Sequence, residues 1–204
     1  LQDAGIVREV FTFVDATQLI SKLDLWRERD QGIEAGIGKL TNANVSQVAA
    51  DPDARFGRKG GTKWFGYKLH VGIDMSQGLI TRICATPANV EDMRGAKHVL
   101  PRHGMVFADK AYGVGEADFH IRRRGLHNGA ILKKSMRRKV AELDRWRTGV
   151  RMPYEGTFSK FEKRTRYRGL KKCQFQAFMQ ALSHNFKRLL AIDTPPLTAR
   201  PSCA

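Results

Sequence analysis

Cysteine is scarce: the 204 residues contain three, Cys84, Cys173 and Cys203, and none forms a Cys-x2-Cys pair. That spacing excludes a zinc ribbon and a disulfide framework, and it fits a reducing cytoplasm. Long apolar runs are absent as well. Nothing approaches the roughly 18 consecutive apolar residues of a membrane helix, and Asp3, Glu9 and Asp15 leave no signal-peptide pattern in the first fifteen positions. Acids are outnumbered, 20 Asp and Glu against 36 Lys and Arg, for a formal charge of +16. Such an excess points to a polyanionic partner, nucleic acid first, with a basic structural protein or an anionic membrane surface as alternatives. There is no internal repeat. A nucleotide loop is missing too: around Gly36-Ile37-Gly38-Lys39, Ile33 stands where the first glycine belongs and Leu40 where Ser or Thr is needed. His98 and His103 lack metal-ligand spacing.

What is present suits one substantial domain, since 42% hydrophobic residues are enough to build a core. Val10–Asp15 reads as a strand closed by an acid, and Trp64–Asp74 and Leu79–Thr86 read as a hairpin around Ser76-Gln77-Gly78. A helix follows near Glu91–Leu100, then an apolar strand, Met105–Asp109. Val114–Arg124 is helical, and Gly129–Leu132 is a short strand. Pro153 suits a helix first turn, with Tyr154, Phe158 and Phe161 on its apolar face. Phe175, Phe178, Met179, Leu182, Phe186, Leu189 and Leu190 mark a last amphipathic helix. Residues 21–63 have no regular period and read as an inserted flexible basic segment, whose Arg55, Arg58, Lys59 and Lys63 suit DNA. Lys133, Lys134 and Arg137–Lys139 form a further basic run, and residues 193–204 read as a disordered tail. The pattern predicts an α/β fold: a mixed sheet with helices on both faces.

Three acids stand out by context: Asp15 and Asp109 at strand ends and Glu155 on a helix. Carboxylates from separate elements can hold hard divalent ions, and two such ions can clamp a phosphodiester displacement. Taken singly, each acid is equally compatible with an ordinary surface position.

The surrounding residues resemble those of bacterial insertion-sequence DDE transposases. Phe13-Val14-Asp15-Ala16-Thr17 is similar to their first-aspartate motif. Gly66-Tyr67-Lys68-Leu69-His70 resembles the strand that follows it, and Thr86-Pro87-Ala88-Asn89-Val90-Glu91-Asp92 their Thr-Pro-Ala-Asn segment. Ala108-Asp109-Lys110-Ala111-Tyr112 resembles the second-aspartate motif. Arg151-x3-Glu155 with Arg166-Tyr167-Arg168-Gly169 resembles the third-acid region. The likeness runs from Val10 to Ile192, within an expected catalytic domain of residues 1–192. It implies an RNase H-like core in which Asp15, Asp109 and Glu155 are catalytic and hold Mg2+ or Mn2+, two ions in all. Arg151 would contact phosphate or position Glu155. Lys68, His70, Lys110, Lys160, Lys163, Arg166 and Arg168 would face DNA.

Implied partners are double-stranded DNA, as transposon ends and target, and a second copy in a synaptic complex. The implied location is the cytoplasm, at the nucleoid when DNA is bound. The departures are Thr148 at the family's tyrosine position, Glu162 at its lysine position, and Ala111 for glycine. Lys160 and Lys163 lie close enough to substitute in part for that lysine. Glu162, seven residues after Glu155 and nearly on the same helix face, is a further candidate acid. Asn89 and Asp92 read as helix caps. Only fourteen residues precede Asp15, so the N-terminal end-binding domain is expected to be missing or supplied by a separate polypeptide. The alternatives are a truncated, inactive remnant that binds DNA and an RNase H-like nuclease without strand transfer.

Overall fold

The computed structural model describes residues 5–21, 25–132, 136 and 140–193. The basic run at 133–139, Met136 excepted, lies outside them, as do Cys203 and the expected tail after residue 193. The elements are β1 (Phe11–Ile20), α1 (Leu25–Glu34), β2 (Arg55–Lys59), β3 (Thr62–Asp74), β4 (Leu79–Pro87), α2 (Asp92–Ala96), β5 (Met105–Ala108), α3 (Gly115–Arg123), β6 (His127–Asn128), α4 (Ala141–Ser159) and α5 (Leu170–Asp193).

β3 is long enough to take two partners along one side. β2 pairs with Thr62–Gly66 and β4 with Tyr67–Asp74, both antiparallel. On its other side β1 pairs antiparallel, from Gly66 to Asp74. β1 then runs parallel to β5, and β5 parallel to β6. The result is the mixed sheet expected, in the order β2-β3-β1-β5-β6 with β4 beside β3. Alternation along β1 explains its two-sided burial. Phe13 belongs to a core with Phe158 of α4 and Cys173 and Ala177 of α5, whereas Val14 packs with Ala96 of α2 and Ala117 and Ile121 of α3. Helices therefore cover both faces. Among the described residues no helix is long and apolar enough to cross a membrane.

Several local expectations differ from the structure. The stretch 21–63 contains α1, a 3-10 turn (Val45–Gln47) and β2, and Val45, Ala49 and Ala54 are buried in the core that holds Phe13. Two acids anchor it. Buried Asp51 accepts from Tyr67 Oη at 2.5 Å, Ser21 Oγ at 3.1 Å and the backbone N–H of Gly169 at 3.1 Å. Asp53 accepts from the N–H of Leu170 at 2.9 Å. Both carboxylates thus serve the open N-terminus of α5, where backbone donors and the helix dipole favour negative charge. β1 continues past Asp15 to Ile20, so that acid lies in mid-strand. Pro153 lies inside α4 rather than in its first turn. α2 has only five residues, and the last short strand falls at His127–Asn128 rather than at 129–132. α4 stops at Ser159, which removes Glu162 from the face that carries Glu155.

Candidate active site

Register builds the site. In the parallel pair β1–β5, Phe13 lies opposite Phe107 and Val14 opposite Ala108. The next residue on each strand is an aspartate, so Asp15 and Asp109 emerge side by side where β5 ends. The two phenylalanines also seat α4. Phe13 meets Phe158 edge-on at 5.9 Å, and Phe107 meets Trp146 at 5.6 Å. Tyr154 completes the seat by donating its hydroxyl to the carbonyl of Met75. This packing brings Arg151 of α4 within reach of Asp109. One guanidinium spans the gap: Arg151 lies 2.8 Å from Glu155 Oε1, one turn along its own helix, and 3.9 Å from Asp109 Oδ1. Because Arg151 stands between these acids, the three carboxylates do not form a ready-made cage. Among the described residues no three His, Cys, Asp or Glu side chains are grouped to hold a metal ion.

The site has a fourth acid. Asp92 lies in the first turn of α2, whose N-cap is Glu91 without a side-chain capping bond, so the capping role read for Asp92 is not what the structure uses. Its carboxylate accepts from Lys68 Nζ at 2.9 Å, and the same ammonium donates to the carbonyl of Val90 at 2.9 Å. Burial pushes the Asp15 carboxyl up to about 6, and the negative charges of Asp92 and Asp109 push the same way. Tyr112 is buried nearby, and its hydroxyl has no hydrogen-bond partner among the described residues. Burial, and then the charges of Asp92, Asp15 and Asp109, hold that phenol well above its usual range.

Beside the acids lies a cleft of about 320 Å³ that runs along β1 at Ala16–Gln18. Its cations are Arg58 and Lys59 of β2, Lys68, and Lys163, with Asp92 as its acid. Lys163 is held there by backbone pairing: Ile20 donates to the carbonyl of Lys163 at 2.7 Å, and Thr165 donates back to that of Ile20 at 2.8 Å. Lys110, Lys160, Arg166 and Arg168 are exposed, and Arg168 lines neither this cleft nor its larger neighbour.

His70 is not a DNA contact. It is fully buried, bonded through Nε2 to Thr86 Oγ1 at 2.9 Å, and its ring lies so close to Gly95 that an added Cβ there would collide with it. Burial draws its pKa down to about 4, so it stays neutral at physiological pH. Its motif position reflects packing between β3, β4 and α2. Asp92 and Tyr112 join the site on structural grounds, and Lys59, read as part of a basic segment suited to DNA, lines the cleft. Asp92 and Tyr112 both lie inside quoted motifs, where Asp92 was read only as a helix cap and Tyr112 had no role of its own.

A family model described as the transposase DDE domain matches residues 40–186. The chain belongs to that family. A curated relative, the transposase for insertion sequence element IS1106 of Neisseria meningitidis serogroup B, is 29% identical over 164 residues. The match covers 73% of this chain and 56% of that protein, so the chain spans little more than half of the relative's length. With this membership, the mixed sheet of the DDE domain is the RNase H-like α/β core implied by the motifs. Asp109 and Glu155 fall inside the matched stretch and Asp15 precedes it, so the case for Asp15 rests on its register beside Asp109.

The raised Asp15 carboxyl gives the transposase domain a measurable pH signature. Its side-chain titration in metal-free protein, followed by NMR, is expected to centre near 6 rather than 3.8. Folding raises this acid's pKa, so between those values the folded state binds more protons than the unfolded chain. The group's contribution to stability therefore declines as pH rises through that window. Asp109→Asn removes one like charge and should move the midpoint down. A wild-type midpoint near 3.8 would refute the electrostatic description of the site.

Proposed function

We propose that this chain is the catalytic part of an insertion-sequence transposase, cutting DNA strands and joining a 3′-hydroxyl to target DNA with Mg2+ or Mn2+ held by Asp15, Asp109 and Glu155. The observation that carries this reading is the alignment of Asp15 and Asp109 on adjacent parallel strands, with Glu155 tied to Asp109 through Arg151. The residues fit such ions: the donor set is all carboxylate oxygen, which hard cations prefer, and a nearby cation would offset the burial and like charges that raise the Asp15 carboxyl. When bound, one or two divalent ions would supply charge neutralisation at the attacking and leaving oxygens.

The remaining work belongs to the chain's own residues. Arg151 holds Asp109 and Glu155 at close quarters through one guanidinium. Arg58, Lys59, Lys68 and Lys163 receive the phosphates of duplex DNA in the cleft beside Asp15, and Asp92 keeps the Lys68 ammonium aimed there. Lys110, Lys160, Arg166 and Arg168 add exposed positive charge. Such contacts are sequence-independent and sensitive to salt. Transposon ends would be brought together in a synaptic dimer with a second copy of this protein.

The test uses supercoiled plasmid and a labelled duplex with a free 3′-hydroxyl, incubated with the protein and Mg2+. Expected products are nicked plasmid and label joined covalently to plasmid, both abolished by EDTA. Nicking without joining would identify a nuclease. DNA binding without either product would identify an inactive remnant.

A further inference from the structure

A second cleft, of about 730 Å³, lies between the end of α4, the 160–167 segment and α5. We propose that it binds an unpaired stretch of DNA strand that leaves the duplex beside the aspartates, which rests on and deepens the DNA-cutting function above. Three features point to this ligand.

The first is its surface. Tyr167 is 43% exposed and Phe175 56% exposed, and both line the cleft over a floor that includes buried Phe161. Exposed aromatic faces are a poor match for paired DNA, whose bases are stacked inside the duplex. They match single strands, whose bases can stack on them one at a time.

The second is charge. Lys160, Lys163, Arg166 and Lys187 line the cleft against a single acid, Glu162. That acid is engaged, with its carboxylate accepting from the N–H of Arg164 at 3.4 Å. Cations interleaved with aromatics are the pattern that tracks a flexible phosphate backbone. The wall also includes Gln180, whose buried amide nitrogen has no hydrogen-bond partner among the described residues.

The third feature is continuity. Lys163 lines both this cleft and the smaller one beside Asp15. Its position is fixed by the short parallel bridge between Ile20 and Arg164 at the end of β1. A strand whose phosphates follow Lys59 and Lys68 meets Lys163 next and passes from there onto Tyr167 and Phe175. The cleft thus begins where the paired region ends.

The test compares two labelled probes by fluorescence anisotropy at one salt concentration: a blunt duplex, and the same duplex with a short thymine overhang. Wild-type protein is expected to bind the overhang probe more tightly. Tyr167→Ala and Phe175→Ala should each reduce that preference by roughly tenfold per stacked base lost, and Tyr167→Trp should keep it. Both side chains are well exposed, so the variants should fold, and circular dichroism checks this. An overhang preference that is absent, or unchanged in the alanine variants, overturns the proposal. So does an equal loss on both probes, which would mark a general DNA contact. Metal-dependent nicking is measured separately. A protein that keeps the overhang preference but never nicks would defeat the cutting function and leave the single-strand site standing, and nicking without the preference would do the reverse.

Discussion

Asp109→Asn is expected to lower metal-dependent plasmid nicking by at least about a thousandfold, because a carboxylate that stabilises charge at a phosphoryl centre through a cation contributes several kcal/mol. The substitution is nearly isosteric. The Asp109 side chain accepts from the N–H of Lys110, and an amide oxygen can keep that bond. Arg151 also keeps its closer partner, Glu155, at 2.8 Å. The fold should therefore persist while the charge at the end of β5 is lost. DNA affinity should change little, since it depends on the cations of the cleft, and its steep fall with added salt should be retained. Asp15→Asn should match it, and the double variant should be scarcely worse than either single one, because residues that act as a unit are not additive. Nicking by a well-folded Asp109→Asn protein at wild-type rate would remove the aspartate pair from the chemistry. Collapse of DNA binding in the same protein would show that Asp109 serves the interface instead.

The largest stability effect is expected at Gly66. It has φ +149, and a Cβ there would strike the carbonyl oxygen of Leu19 and come within 2.6 Å of the N–H nitrogen of Ser21. Both obstacles are backbone, so no side chain can swing aside. The position is also the junction of the sheet, where β3 faces Arg55 of β2 on one side and Ile20 of β1 on the other. Gly66→Ala combines a disfavoured conformation with a close contact, at a cost of about 2–4 kcal/mol. For a domain of this size, that corresponds to a fall in melting temperature of roughly 5–15 °C, readable by circular dichroism. A shift within a degree of wild type would mean that the sheet relaxes there at no cost.

Which features were legible in the chain follows from the range of the forces involved. The β-rich run Val10–Asp15 and the short apolar run Met105–Asp109 identified two strands, because strand propensity and apolar clustering are local features of the chain. That the strands lie parallel, with their aspartates abreast, is a long-range fact. Only the order of motifs hinted at it, through resemblance. The segment 21–63 looked shapeless because what orders it is far away: Asp51 and Asp53 bond to N–H groups of Gly169 and Leu170. His70 was expected to face DNA, but α2 covers it, and the absence of a side chain at Gly95 is what lets that helix approach. Glu162 depended on whether a helix continued, and helix ends are the least certain reading of any periodic pattern.

The bond between Asp51 and Gly169 joins residues 118 apart, and the backbone pairing of Ile20 with Lys163 closes a still wider loop. Nearly all of the described fold must leave the ribosome before either can form. Within the described residues Asp15 comes early, whereas the helix that carries Glu155 and the segment whose Lys163 lines the cleft are made long after it. Within this domain, the neighbourhood of the aspartates is therefore completed only by its later-made elements.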